Sequence, residues 1–129
     1  MGNYIGIPWK LNGRDLNGVD CLGMVWLYLH DQGINIPDGD GLPINENSLM
    51  FTEIRYIAGL DSLPGWRRLE PGETPRKNDI VLVHYLRQSA HIGVMVDSQK
   101  MLHSAIGQTS ATCQVDLFGH RILGFWRRK

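Results

Sequence analysis

The sequence has few cysteines, no excess of charge of either sign and no long apolar run, and each shortage excludes a class of protein. Two cysteines among 129 residues cannot form the several bridges of a disulfide-stabilised scaffold. Thirteen basic residues balance thirteen acidic ones, so no net field attracts the chain to nucleic acid or an anionic membrane. No apolar run approaches the roughly 20 residues that a membrane-spanning helix needs. We therefore expect neither nucleic acid nor a membrane as partner.

The composition, 43% hydrophobic and 20% charged, is ordinary for a globular protein, and the length suits one domain. We predict a single domain over residues 1–129. The N-terminal segment MGNYIGIPWK has no basic region followed by an apolar core, so no signal peptide is expected. The protein is thus expected to be made in the cytoplasm.

Helix signals occur in the first half of the chain. The apolar run after Asp20 predicts a helix over 21–32, with Asp20 as its N-cap and Gly33 as the residue that ends it. A second helix is predicted over 46–59, ending at Gly59. Its inner side is predicted to carry Leu49, Ile54, Ile57 and Ala58.

Strand signals occupy the second half of the chain. Strands are predicted over 79–86, 91–97, 100–106 and 121–127. The segments predicted to be loops, which are rich in glycine, proline and asparagine, are 8–19, 35–45 and 61–78. Helices followed by strands with short links predict an α+β fold with an antiparallel sheet.

Cys21 lies in the first turn of the first predicted helix, directly after the acidic N-cap. A cysteine acts as a nucleophile in its thiolate form, and a helix N-terminus favours that form by lowering the pKa of the thiol. Asp20 opposes this effect unless its carboxylate is occupied by capping or by a substrate amine. Gly23 costs roughly 1 kcal/mol relative to alanine inside a helix, which indicates a close approach to the backbone there.

A cysteine nucleophile also needs a base, usually histidine. If residues 97–99 form a three-residue hairpin loop, Gly93 lies opposite His103, and His91 is a diagonal neighbour on the same face. A two-residue loop would place the two imidazoles on opposite faces. His91 and His103 are therefore the best candidate pair. The other histidines, interpreted as ordinary helix-end, strand or turn residues, are His30, His84 and His120.

Three other interpretations of these residues remain. The two histidines could be core residues with satisfied hydrogen bonds. Cys21, His91 and His103, with Asp20, could also ligate zinc, but the sequence has no C-x-x-C, no H-E-x-x-H and no close ligand pair, so no metal or cofactor is expected. Cys113 is interpreted as a small buried group or a bystander, and it could bridge Cys21 only if the Cα atoms came within about 7 Å.

At these residues the chain resembles the NlpC-type cell-wall peptidases, papain-like cysteine enzymes that cut peptidoglycan stem peptides. The family pattern contains G-x-P-Y, G-x-D-C-S-G, P-x-x-G-D, H-V-G and a third polar site residue, in that order. The corresponding segments here are GIPW (6–9), GVDCLG (18–23), PRKNDIVLV (75–83), HIGVMV (91–96) and LHSA (102–105). The form PWKLNGRDLNGVDCLGMV resembles versions carried by phages and prophages.

The resemblance implies a papain-like fold in which N-terminal helices pack on an antiparallel sheet. It implies Cys21 as the nucleophile, His91 as general base and acid, and His103 as the residue that orients His91. It further implies that Asp20 helps to hold the free amine of a stem peptide cut at a γ-D-glutamyl–diamino-acid bond. Phage tail proteins are implied as partners, and delivery to the cell wall would then occur with the phage particle.

Three residues depart from the family pattern. Trp9 replaces the tyrosine of G-x-P-Y, and Leu22 replaces the serine after the cysteine, so both are predicted to affect substrate binding. Tyr4 is a candidate to replace the missing tyrosine. Asn78 replaces the glycine of P-x-x-G-D, which is tolerable because asparagine accepts turn conformations.

Two alternative functions stay open from the sequence. The same scaffold could serve as an amidase toxin or as an acyltransferase on other amides. It could also be a non-catalytic assembly or binding module. The joint presence of Cys21, His91 and His103 favours the peptidase, whereas Trp9 and Leu22 keep the non-catalytic alternative open.

Overall fold

A computed structural model describes residues 2–37, 52–85 and 88–129 of the chain. Two 3₁₀ segments cover Gly2–Tyr4 and Val115–Arg121. The helices and strands are β1 (Arg14–Asp15), β2 (Gly18–Val19), α1 (Cys21–His30), α2 (Thr52–Asp61), β3 (Trp66–Arg68), β4 (Ile80–Tyr85), β5 (Gln88–Met95), β6 (Lys100–His103), β7 (Ala111–Gln114) and β8 (Ile122–Arg128).

Strands β3 to β8 form one six-stranded antiparallel sheet in the order β3-β8-β4-β5-β6-β7. Helices α1 and α2 cover one face, where they pack on Ile80, Leu82, Ile92 and Val94. The alternate residues of β4 point to the other face, where Val81 and Val83 pack against Phe118 of the second 3₁₀ segment. The predicted α+β architecture, helices packed on an antiparallel sheet, is confirmed.

Both ends of α1 are closed as the sequence predicts. The Asp20 carboxylate accepts a hydrogen bond of 2.7 Å from the Gly23 backbone N–H, so Asp20 is the N-cap. At the other end Gly33 adopts φ 77° and donates to the His30 carbonyl, while Ile34 N–H reaches back to Leu29. Regular helical geometry ends at His30, two residues before the predicted end. Neither described helix is long and apolar enough to cross a membrane.

Helix α2 continues beyond its predicted end at Gly59. Leu60 is 7% exposed in the core, and the Trp126 indole N–H donates to the Asp61 carboxylate over 2.9 Å, so packing stabilises the last turn. Ile57 is partly buried against the core as predicted, but Ala58 is exposed, so its predicted inward position is wrong. The structure does not describe residues 46–51, where this helix was predicted to start, and these include Leu49. The side chain of Ile54 also lies outside the described part of the chain.

The segments predicted as loops contain three short strands. β1 and β2 form a two-stranded hairpin within 8–19, and β3 lies within 61–78. β3 exists because it pairs with β8 across Trp66 and Arg128, a tertiary contact without a local sequence signal. β7 was also not predicted, and β6 ends at His103 instead of 106. In the predicted loop over 35–45, residues 35–37 are irregular and residues 38–45 lie outside the described residues. Residue 86, the last of the first predicted strand, also lies outside them.

The β5–β6 hairpin has the predicted register. Val94 pairs with Leu102 and Met95 with Met101, and residues 97–99 form the loop. The Asp97 carboxylate accepts hydrogen bonds of 2.7 Å from the backbone N–H groups of Gln99 and Lys100. This Asx-type turn sets the three-residue loop length on which the alignment of His91 with His103 depends.

Candidate active site

The mouth of α1 holds a buried thiol next to a buried carboxylate. Cys21 is 9% exposed and Asp20 is 3% exposed. The Asp20 carboxylate accepts from Gly23 N–H, from Asn12 N–H at 2.8 Å and from the Arg14 guanidinium at 2.8 Å. Capping and loop contacts therefore occupy the carboxylate. Its role in holding a substrate amine stays a prediction.

Gly23 lies where the segment before β1 crosses the helix. A Cβ atom at this position would collide with the Gly13 carbonyl oxygen and would lie 2.7 Å from a guanidinium nitrogen of Arg14. The close approach predicted from this glycine is therefore confirmed. The crossing fixes the β1–β2 hairpin against the helix turn that carries Cys21.

His91 and His103 meet on one face of the β5–β6 hairpin, with His91 Nε2 2.9 Å from His103 Nδ1. Their rings stand edge to face, at an interplanar angle of 81°. Gly93 lies at a close contact between the strands, because a Cβ there would collide with the Met101 side chain and lie 3.1 Å from the Leu102 carbonyl oxygen. The space that this glycine was expected to leave for the two imidazoles stays a prediction. Cys21 lies near this histidine pair.

Burial keeps both histidines neutral. Burial, together with a smaller effect of the neighbouring His103, lowers the pKa of His91 to about 3. Burial also lowers the pKa of His103. A neutral His91 can accept a proton at neutral pH. Since Nε2 of His91 faces His103, a proton exchanged between His91 and a thiol would pass through the other ring nitrogen, Nδ1.

The Cys21 thiol has a raised pKa, not the lowered one expected at a helix N-terminus. Burial raises its pKa most, and the adjacent Asp20 carboxylate raises it further. The Tyr56 hydroxyl and the backbone N–H groups of Ile92 and Leu22 lower it, but burial outweighs them. The resting group is a thiol, so a nucleophilic role would require its proton to leave.

Tyr56 of α2 is a site residue that the sequence did not indicate. Its hydroxyl lies 3.4 Å from Cys21 Sγ. Burial and the nearby thiol raise the pKa of this hydroxyl well above its ordinary value, so it remains a hydrogen-bond donor. The available signal was helical spacing: Tyr56 precedes the buried Leu60 by four residues, and a tyrosine on an inner face needs a polar partner.

Trp9 and Leu22 occupy different environments. Trp9 forms a parallel bridge with Val19, which places it beside the helix mouth. Its indole N–H is buried and has no hydrogen-bond partner among the described residues. Leu22 is 6% exposed and packs in the core, so this side chain stabilises the attachment of α1 to the sheet. Substrate contacts of both residues stay predictions.

Tyr4 does not replace the missing tyrosine near Cys21. Its hydroxyl donates to Asp31 over 2.7 Å, beyond the far end of α1, and its ring packs edge-on against Tyr28. Proximity in sequence to Trp9 suggested the replacement, but the chain carries Tyr4 along the helix away from the thiol.

The departure at Asn78 has a local explanation. Asn78 adopts φ 75°, the left-handed conformation in which glycine is common and asparagine is tolerated. The next residue, Asp79, is 2% exposed and binds the Arg127 guanidinium through both carboxylate oxygens at 2.8 and 3.0 Å. This pair fixes the start of β4 to the end of β8.

Cys113 lies apart from the site, on β7 opposite Met101, and both cysteines are free thiols. Within residues 2–37, 52–85 and 88–129, no three histidine, cysteine or acidic side chains are arranged to hold a metal ion.

Three solved structures share this fold. An NlpC/P60 family protein from Bacillus cereus ATCC 10987 has a TM-score of 0.63 and 18% identity over 97% of this chain and 36% of its own. The NlpC/p60 domain of the peptidoglycan hydrolase SagA has a TM-score of 0.56 and 17% identity over 96% of this chain and 89% of its own. The P60 domain of an antigen from M. avium subspecies paratuberculosis has a TM-score of 0.61 and 20% identity over 98% of this chain and 87% of its own.

The chain thus spans about a third of the Bacillus cereus protein (36%) and most of the two single domains. No curated protein sequence matches it. The NlpC/P60 family model matches residues 6–126, a range that includes Cys21 and the His91–His103 pair. With this match on a papain-like α+β fold, the chain belongs to the NlpC/P60 family.

Proposed function

We propose that the protein is a cysteine peptidase that hydrolyses a peptide or isopeptide bond in peptidoglycan stem peptides. One observation carries the proposal: a thiol at the N-terminus of α1 lies near two neutral histidines whose ring nitrogens are 2.9 Å apart. This is the arrangement of a nucleophile, a base and a group that orients the base.

Acylation would begin with attack of Cys21 Sγ on the scissile carbonyl carbon as the thiol proton passes to His91 Nδ1. For Nδ1 to accept, His91 must carry its hydrogen on Nε2, where it donates to His103 Nδ1 across the 2.9 Å contact. In this mechanism His103 carries its own hydrogen on Nε2, so that its Nδ1 accepts and favours this tautomer of His91. Collapse of the tetrahedral intermediate breaks the C–N bond, the leaving amine takes the proton from His91, and a thioester to Cys21 remains.

Deacylation reverses the same proton path. His91 takes a proton from water, the hydroxide attacks the thioester, and the carboxylic acid leaves as the thiol is re-formed. In both steps the oxyanion would be stabilised by donors at the helix mouth, which include the Cys21 backbone N–H. The Tyr56 hydroxyl, 3.4 Å from Sγ and protonated, is a second donor in position to serve this role.

The γ-D-glutamyl–diamino-acid bond is the proposed substrate, on the resemblance of the sequence motifs to wall peptidases. The similarity to the domain of SagA, itself a peptidoglycan hydrolase, supports the same substrate class. We further propose a phage or prophage origin with phage tail proteins as partners, because the segment from Pro8 to Val25 resembles phage-borne versions.

The test is to incubate purified wall fragments with the protein and with Cys21→Ala, and to identify the released fragments by mass spectrometry. We expect new γ-D-glutamyl termini from the wild-type protein alone. Alkylation of Cys21 and Cys113 is measured on the same samples. The proposal fails if the wild-type protein releases nothing and Cys21 is alkylated no faster than Cys113.

A further inference from the structure

The N-cap of α1 raises an electrostatic problem at the proposed active site. The Asp20 carboxylate, 3% exposed, accepts from three N–H groups of the described residues and directly precedes the proposed nucleophile. A buried negative charge favours the protonated thiol, and its effect is stronger in the interior than in water. A neutral cap such as serine or asparagine would close the helix without this cost.

Arg14 supplies the opposite charge at this position. From β1 its Nη1 atom lies 2.8 Å from Asp20 Oδ1 and donates to the Gly13 carbonyl oxygen over 2.7 Å. The Arg14 side chain is 18% exposed, so solvent only partly screens the pair. These are not the only contacts of Arg14. The pairing of Arg14 with Val19 in the β1–β2 hairpin holds the arginine over the helix mouth.

The charge of Arg14 acts on Tyr56, the side chain whose hydroxyl is in contact with the thiol. The charged and titratable groups next to Cys21 are Asp20 on its N-cap, Tyr56 on α2 and His91, which precedes the Ile92 N–H, on β5. Asp20 and Arg14 act on the pKa of Tyr56 in opposite directions, the carboxylate raising it and the guanidinium lowering it. The two charges therefore offset each other at a group in contact with Sγ.

We propose that Arg14 is a positioning residue of this active site, which fixes the Asp20 carboxylate and offsets its charge beside Cys21. The inference rests on the proposed role of Cys21 as nucleophile. In this inference Asp20 forms an ion pair with Arg14. The Asp20 carboxylate can then cap α1 and bind the β1–β2 hairpin without suppressing formation of the Cys21 thiolate.

The test measures the pH dependence of Cys21 alkylation by iodoacetamide in a Cys113→Ser background, so that one thiol reacts. The midpoint of the profile reports the charge around Sγ, whereas the limiting rate at high pH reports how easily iodoacetamide reaches the sulfur. We expect Arg14→Gln to raise the midpoint by about one unit, which slows alkylation about tenfold below it. Arg14→Lys, which keeps the charge, should leave the midpoint near the wild-type value.

Two further variants separate charge from structure. Asp20→Asn keeps a good N-cap and removes the charge, so the midpoint should fall. Arg76→Gln, which removes an exposed cation beside Asn78, is the matched control and should change nothing.

The inference is overturned if folded Arg14→Gln keeps the wild-type midpoint, or if Arg14→Lys raises the midpoint as much as Arg14→Gln does. Should Arg14→Gln not fold, an unchanged midpoint in Asp20→Asn overturns it as well. None of these outcomes depends on cleavage of wall fragments. A protein that shows the expected midpoints but cleaves nothing therefore contradicts the proposed function alone.

Discussion

The hydroxyl of Tyr56 lies 3.4 Å from Sγ of Cys21, although the two residues belong to different helices and are separated by 35 positions. Helix α2 is held in place by the Trp126–Asp61 hydrogen bond and by the burial of Leu60, so this contact depends on the packing of α2 against the sheet. The second helix thus contributes a donor to a site whose other members come from α1, β5 and β6.

Removal of this hydroxyl should slow the reaction. We expect Tyr56→Phe to lower kcat on a wall peptide about a hundredfold with little change in KM, because a lost oxyanion donor affects the transition state most. Steady-state kinetics check this. Tyr4→Phe is the matched control, since its hydroxyl binds Asp31 at the other end of α1. Equal kcat for Tyr56→Phe and the wild-type protein would show that the hydroxyl is no oxyanion donor.

Loss of the imidazole that faces His91 should also act mainly on kcat. We expect His103→Ala to lower kcat about a hundredfold, because His91 is then free to adopt the wrong tautomer or rotate. His103→Asn should retain part of the rate, since its amide oxygen can still accept from His91 Nε2. His120→Ala, which changes an exposed histidine, serves as the control. A His103→Ala protein with full kcat would remove His103 from the mechanism.

Trp9 offers a test of the substituted G-x-P-Y position. Trp9→Phe keeps an aromatic ring and removes the buried N–H that has no partner within the described residues. If that N–H binds substrate, KM should rise about two- to tenfold, the value of one hydrogen bond. Trp26→Phe, on the same helix as Cys21 but stacked on His30, is the control. Unchanged kinetics in both variants would leave Trp9 with a packing role only.

Leu22 should matter for stability. We expect Leu22→Ala to lower the free energy of unfolding by about 2–5 kcal/mol in urea denaturation, because the side chain is 6% exposed in the core. The control Leu117→Ala, 70% exposed, should change it by no more than about 0.5 kcal/mol. Similar values for the two variants would contradict the core position of Leu22.

The lowered pKa of His91 predicts how stability depends on pH. The unfolded chain binds a proton at this residue near pH 6.5, whereas the folded protein does so only near pH 3. The stabilisation is therefore complete above about pH 6.5 and is lost as the pH falls toward 3. Denaturation at several pH values should show a smaller loss of stability on acidification in His91→Gln than in the wild-type protein. An equal loss in the two proteins would contradict the neutral, buried state of His91.

Local chemistry made much of the site predictable. Asp20 as the N-cap and Gly33 at the end of α1 each follow from a residue type suited to that position, whereas the 97–99 loop was one of two loop lengths that the sequence left open. From the loop length alone, strand alternation then places His91 and His103 on one face. The family resemblance implied the catalytic roles of Cys21, His91 and His103, whereas the helix cap and the strand pattern predicted their positions.

What the sequence did not predict depends on tertiary packing. Strand β3 lies in a segment full of turn residues and exists through its pairing with β8. The contact of Tyr56 with Cys21 requires the placement of α2, and the raised pKa of the thiol follows from burial that no local pattern reveals. Arg14 reaches Asp20 only because the hairpin crosses the helix at Gly23.

The position of β8 between β3 and β4 also bears on how the protein is made. β8 follows all the other strands of this sheet along the chain, and it supplies one partner of β4 and the anchor of α2 at Trp126. While the ribosome still holds residues 122–128, a nascent chain already contains every proposed catalytic group but lacks the strand that joins β3 to the rest of the sheet. Pairings between distant segments form slowly, so a working thiol should arise only after synthesis has passed β8.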